Sequence, residues 1–557
     1  MKARRVASLA MASVLAGTLL AGCGGSTGNS TSSGSAASGT TGTTGTASSG
    51  GTSKYQTTYG SKQFNNVTLK VELFDRSNAP SGSTITDNRW TKYCQDAMKK
   101  VGINLEFVPV PRSDEVTKMQ TMMASQTAAD IMLTYTYSMA ESYFDQGGTW
   151  DLTDFIDGED QAKNLKAYLG DDVLNIGRKS DNRLYGVVAK RATTAEDNIY
   201  IRKDWLDDLG LAVPTTPDEL LDAAQQFVQK NPGNVSNPIG LWPCMTQSLR
   251  MAFSQVLDDP VKSQVAFTED VIWDYYDPGM KEMFRWMNKA YNSGTMHSEY
   301  YTMKGVGANS TGEDQYKSYI VNGQLGCFED NVNYGIDVLR GSLLKTLQEN
   351  IPTAELTSVP GLKNVNDGKV HTIGYSKGGL ICFVPKTASE EVAEAAVTYM
   401  DWMCSKEGGF VIYHGYEGEH YEMKDGVPAV IDSQYNATDK DWIRTDLFIT
   451  GNQGYFDSEE EFNKTTATEQ PQYSDLIIKS YEDSEAGEQS HYGTYTSPST
   501  PELITDLNLA KQQYEVSTVT CAEADFDATW QEYMDTLKNT GMDKIISERE
   551  EYYKNAK

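Results

Sequence analysis

Gly374, Tyr375, Ser376, Lys377 and Gly378 have the G-x-S-x-G spacing of a nucleophile elbow, where a strand-to-helix turn holds a serine Oγ clear for attack. Their flanks predict another use: residues 369–373 and 379–385 both read as strands, so the glycines are expected to join strand to strand. Five histidines are present (His297, His371, His414, His420, His491), none in H-E-x-x-H or paired helical spacing, so no metal site is expected. Asp and Glu number 77, enough to supply a carboxylate pair by chance, so their abundance does not argue for glycoside hydrolysis. Walker A and dinucleotide fingerprints are absent. The expectation is no catalytic residue and no cofactor, with a surface serine hydrolase or glycoside hydrolase as the alternative.

What remains is recognition chemistry at strand ends. Residues 67–73 alternate apolar and polar as a strand does, and a helix follows with Trp90, Cys94, Ala97 and Val101 on one face and Gly102 at its C-terminal cap. A second strand at 103–108, a helix carrying Val116, Met119 and Met123, and a third strand at 130–133 complete β-α-β-α-β, the opening of a parallel sheet wound on both faces. Ligands of such sheets bind beyond the carboxyl ends of the strands, which selects Asp75 and Arg76 after the first and Tyr135 and Tyr137 after the third. Sugar hydroxyls want carboxylate, guanidinium or amide partners, and sugar C–H faces want an aromatic ring. Further along, Thr216, Pro217 and Glu219 mark a helix start. Strands at 185–188 and 198–201 mark a passage between lobes. Trp242 follows a strand at 239–241, and Glu329 and Asp330 read as a polar loop after 325–328.

The ends and totals bound the setting. Three positive charges in residues 1–5 and an apolar run at 6–21 read as a signal peptide over 1–22, and Leu20, Ala21, Gly22 and Cys23 match a bacterial lipobox that would place diacylglycerol on Cys23. Gly, Ser, Thr and Ala then dominate, and 23–59 is expected to be a lipid-bearing, disordered tether. The body of some 500 residues is too long for one core. A net charge of −29 disfavours nucleic acid. Beyond Cys23 the six remaining cysteines are scattered, and a disulfide stays open.

Residues 184–187, 198–211 and 213–216 together with 399–403, 405–409 and 415–421 resemble extracellular solute-binding proteins of sugar ABC transporters, the large oligosaccharide-binding lipoproteins of Gram-positive bacteria. The resemblance implies a type II periplasmic-binding α/β fold of two lobes closing on ligand, no enzymatic activity, and a monomer on the outer face of the cell membrane that serves ABC permease subunits. It implies lobe 1 over 60–189 and about 361–415, and lobe 2 over about 190–360 and about 416–557. The implied cleft residues are Asp75, Arg76, Tyr135, Tyr137, Trp242, Glu329, Asp330 and Tyr375, with Trp205 and Trp402 structural. Some relatives carry a calcium loop after the capped helix; residues 230–238 hold no Asp or Glu here, so no calcium is expected. Which sugar binds, or whether a non-sugar solute or a signalling role applies, stays open.

Overall fold

A computed structural model describes residues 54–242, 246–302, 313–493 and 495–555. The expected signal peptide, the expected lipid site Cys23 and the expected tether up to residue 53 lie outside the described residues. The strands are β1 Val67–Asp75, β2 Ile103–Pro111, β3 Met132–Thr134, β4 Val187–Arg191, β5 Asp197–Arg202, β6 Cys327–Asn331, β7 Leu356–Val359, β8 His371–Gly374, β9 Gly378–Phe383, β10 Tyr421–Lys424, β11 Val427–Val430, β12 Gly451–Asn452 and β13 Glu488–His491.

The opening β-α-β-α-β is present. β1 and β2 pair in parallel, and a parallel bridge from Val71 to Ile131 carries the sheet on to β3. β9 runs antiparallel between β3 and β4, and β12 joins β4 in parallel. The parallel strands therefore present their carboxyl ends along one edge, where a ligand binds. A second sheet has β5 between β6 and β7, antiparallel to both. Along β5 the side chains alternate: Ile199 and Ile201 face a core built on Trp205, Phe227 and Trp273, while Tyr200 packs on the opposite side against Phe328. The helix Pro217–Lys230 that covers this sheet starts at Thr216, whose hydroxyl accepts from the Glu219 amide. The Glu219 carboxylate reaches back one residue further than a capping box requires, to Thr215 N at 2.8 Å.

Three expectations change. Residues 54–59 belong to the body and not to the tether: Tyr55 stacks on Phe155 with ring centres 3.9 Å apart, and Tyr59 N donates to Asp401. Two tyrosines anchor a stretch whose other residues are polar enough to read as leash. The expected lobe boundaries at 361 and 415 also move. Leu362 and Ile373 pack in the second sheet's core. Residues 416–452 stay with the first sheet, where Tyr416 stacks on Trp90 and Arg76 forms a bidentate pair with Asp446. The chain thus crosses between sheets at 192–196, at 375–377 and after β12. Finally, Glu329 and Asp330 lie within β6, paired with Ile199 and Asn198, and are not a loop.

Glu72 is fully buried in β1, with Leu133 N donating to one carboxylate oxygen at 3.0 Å. Burial pushes its carboxyl up to about 8 from 4.5. A folded-state value above the unfolded one means the native state holds the extra proton, so stability is full below the unfolded value and is lost as pH rises through the folded one. Wild-type stability is expected to fall by about 2 kcal/mol between pH ~5.5 and ~7.5 from this group, and Glu72→Gln should flatten the decline. Urea midpoints at the two pH values test it; equal declines in both proteins would exclude Glu72 as the source.

Candidate functional site

The crossing segments put side chains between the sheets. At 192–196 the backbone is pinned to the second crossing by Tyr375 N donating to Thr194 O at 2.9 Å. Arg191, the last residue of β4, lays its guanidinium 3.8 Å from the centre of the Tyr375 ring. Its Nε donates to Gly378 O at 3.1 Å and its Nη1 to Asn452 Oδ1 at 3.3 Å. These acceptors are neutral, so they hold the guanidinium without cancelling its charge.

Two cavities meet at Tyr375. One, of about 320 Å³, is lined by Tyr135, Tyr137 and Ser138 from the loop after β3, by Arg191, and by Glu269 and Tyr492 across from them. The tyrosine hydroxyls are used: Tyr137 donates to Gly379 O at 2.5 Å and Tyr135 accepts from Asn452 Nδ2 at 2.9 Å. This fixes the rings and leaves their faces as the recognising surface. Arg112 stacks on Tyr135 at 4.8 Å and stiffens it further.

The other cavity, of about 270 Å³, is lined by Glu196, Asn331, Arg340, Tyr413, Gln453 and Glu469 among others. Here Arg444 pairs with Asp441 at 3.0 Å and Glu469 at 3.3 Å and covers the Tyr413 ring at 4.2 Å. Arg340 donates to Asn331 Oδ1 at 3.3 Å. Burial, helped by the Asp197 charge and opposed by Arg191, pushes the Glu196 carboxyl up to about 8, so at neutral pH it both donates and accepts. Amide, guanidinium and carboxyl groups around fixed aromatic rings suit a polyhydroxyl ligand with flat apolar faces.

Of the residues selected from sequence, Tyr135, Tyr137 and Tyr375 come together in these cavities. Asp75 and Arg76 do not line them: Asp75 caps its own turn by accepting from Ser77 N, and Arg76 is held by Asp446. Arg76 instead secures the helix Trp442–Leu447, which brings Arg444 to the groove. Trp242 is 1 % exposed against Tyr316, away from both cavities. Glu329 is buried where Ser248 N donates to it at 2.9 Å, and Asp330 pairs in β6. Sequence reasoning missed Arg191, Glu196, Arg340 and Arg444; the first two flank the expected passage between lobes, which was the usable signal. Ser376 Oγ donates to Gly378 O in a turn that runs from β8 into β9, strand to strand as expected. The loop at 230–238 closes on itself through Asn231, whose side chain bonds both N and O of Val235. Among the described residues no group of three His, Cys, Asp or Glu is placed to hold a metal, and no helix is long and apolar enough to cross a membrane.

A family model described as bacterial extracellular solute-binding protein matches residues 92–418. The polygalacturonan/rhamnogalacturonan-binding protein YtcQ of Bacillus subtilis is 22 % identical over 477 residues, covering 82 % of this chain and 87 % of that protein. Lipoprotein LipO of the same organism is 22 % identical over half of this chain and 54 % of its own. Among solved structures, the Streptococcus pneumoniae substrate-binding protein FusA in complex with kestose superposes with a TM-score of 0.62 at 15 % identity, covering 88 % of this chain and 99 % of that one. A human-milk-oligosaccharide-binding protein of Bifidobacterium longum infantis gives 0.61 at 14 %, with 88 % and 98 % covered. At such identities these likenesses establish the two-lobed α/β fold.

Proposed function

Since the chain belongs to the bacterial extracellular solute-binding protein family, we propose that its groove captures an oligosaccharide and that the loaded protein delivers it to the permease of an ABC importer. The observation that carries this reading is the Tyr375 ring, shared by both cavities and backed by Arg191. A sugar lying across it meets an aromatic face in the middle and hydrogen-bonding groups on either side, and closure of the lobes about the crossing segments would sandwich it. The sugar ligands in the relatives' names support the same class. Capture without turnover is consistent with a Ser376 that sits in a strand-to-strand turn. A diacylglyceryl group on Cys23 would keep the protein at the outer membrane face, within reach of a permease.

The test is thermal unfolding and calorimetry against oligogalacturonides, alginate oligosaccharides, fructo-oligosaccharides and milk oligosaccharides, with peptides and amino acids as controls. A ligand at a hundred times its Kd adds about 2.7 kcal/mol to stability, enough to raise Tm visibly. Stabilisation by peptides alone would replace the sugar with another solute, and release of reducing ends would replace capture with hydrolysis.

A further inference from the structure

We infer that the groove continues past the Tyr375 cavities into an aromatic subsite at Tyr552 and Tyr495, which takes a further ring of the same oligosaccharide; this rests on the oligosaccharide reading. Residues 492–493 and 495–498 link one to the other. Tyr492 and Thr496 line the Tyr375 cavity, while Tyr495 and Pro498 line a separate cavity of about 490 Å³. That cavity spans both lobes, since Ser180 closes it from the first. Ser180 stands on a tight turn fixed by Lys179 N donating to Arg183 O at 2.8 Å and by Lys179 pairing with Glu141 and Asp145. Lobe closure about a sugar would therefore bring a rigid hydroxyl-bearing turn over the aromatic floor.

The floor is built for a flat ligand. Tyr495 and Tyr552 stack with ring centres 3.6 Å apart and planes 2° from parallel, and Tyr553 meets both edge-on. Tyr552 nevertheless remains 44 % exposed, the highest of the tyrosines among the exposed large apolar residues. The rings are held from behind by Arg549, 1 % exposed, which donates to Tyr495 O at 2.5 Å, Gln264 O at 2.7 Å and Val265 O at 3.0 Å. A buried guanidinium spent on three carbonyl oxygens and on the Tyr495 and Tyr553 rings fixes this surface loop and preorganises the platform. Glu551 and Asn555 at the rim offer hydroxyl partners. A sugar C–H face on the outer side of Tyr552 fills the cavity with the chemistry that the groove uses at Tyr375.

The experiment is calorimetric titration of wild type and Tyr552→Ala with fructo-oligosaccharide and oligogalacturonide ladders of about two to eight units, with Tyr552→Phe as a control for the ring alone. Wild type should bind long chains more tightly than short ones. Tyr552→Ala should lose roughly tenfold in affinity for the longest chains, the scale of one aromatic anchor, and keep its affinity for the shortest, while Tyr552→Phe stays near wild type. Unchanged binding across the ladder, or equal weakening at every length, overturns the subsite and leaves the oligosaccharide reading standing. If wild type binds neither these ladders nor the alginate and milk oligosaccharides, the oligosaccharide reading falls, and the subsite with it.

Discussion

Tyr375→Ala is expected to weaken oligosaccharide binding on the order of a hundredfold while leaving the unfolding midpoint close to that of wild type. Its ring is the one aromatic face common to both cavities, and an aromatic anchor at the centre of a binding surface costs about 2–4 kcal/mol when truncated, with 1.4 kcal/mol for each factor of ten. A second loss adds to this. Arg191 lies 3.8 Å from the ring centre, and without the ring its guanidinium loses the surface that holds it flat. Tyr375→Phe keeps both the face and the Arg191 stack, so it should retain most of the affinity. Fold stability is spared because the backbone link to Thr194 O runs through the Tyr375 amide, which alanine also has. Calorimetry on the two variants decides the matter: Tyr375→Ala binding within about threefold of wild type would place the ligand elsewhere.

The sheet that carries the first lobe is legible from sequence because its strands and helices follow one another locally. The apolar alternation of β1 and the one-sided faces of the next two helices each announce an element on their own. The loop after β3 was legible for the same reason, and two of its tyrosines do reach the groove. The other strand-end selections have partners within the protein and do not line the two cavities. Arg76 satisfies Asp446, a residue 370 positions away, and Trp242 fills a space between Tyr316 and Tyr319. Glu329 illustrates the harder case: a carboxylate inside an apolar strand reads as the end of that strand, yet β6 continues through it because Ser248 at the start of a helix supplies its hydrogen bonds. Several of the cavity residues come from the last hundred or so positions, where polar and aromatic residues alternate without a clean period. Gln453, Glu469 and Tyr492 acquire their role only when the third crossing folds back on the second sheet.

That dependence on distant packing gives the largest expected effect on stability. Arg250 is 1 % exposed, donates to Asp274 Oδ1 at 2.6 Å, and lies 3.7 Å from Asp270. Asp274 is equally buried, and its other oxygen accepts from the Tyr533 hydroxyl at 2.9 Å. Removing Arg250 alone, as in Arg250→Met, leaves the buried Asp274 carboxylate without its ion-pair partner. That should cost about 3–5 kcal/mol in urea-midpoint measurements. Arg250→Met/Asp274→Asn should recover much of the loss, since the uncharged amide still accepts from Tyr533 and the Asp274 charge is gone, with Lys511 still paired to Asp270 and Glu515. The effect reaches the groove's support as well. Arg250 sits in the helix Thr246–Phe253, and Ser248 of that helix holds Glu329 in β6, two residues before Asn331 at the cavity. A single variant that loses less than about 1 kcal/mol would mean that Tyr533 and the nearby Lys511 charge satisfy Asp274 and that the Arg250 pair does not hold the helix.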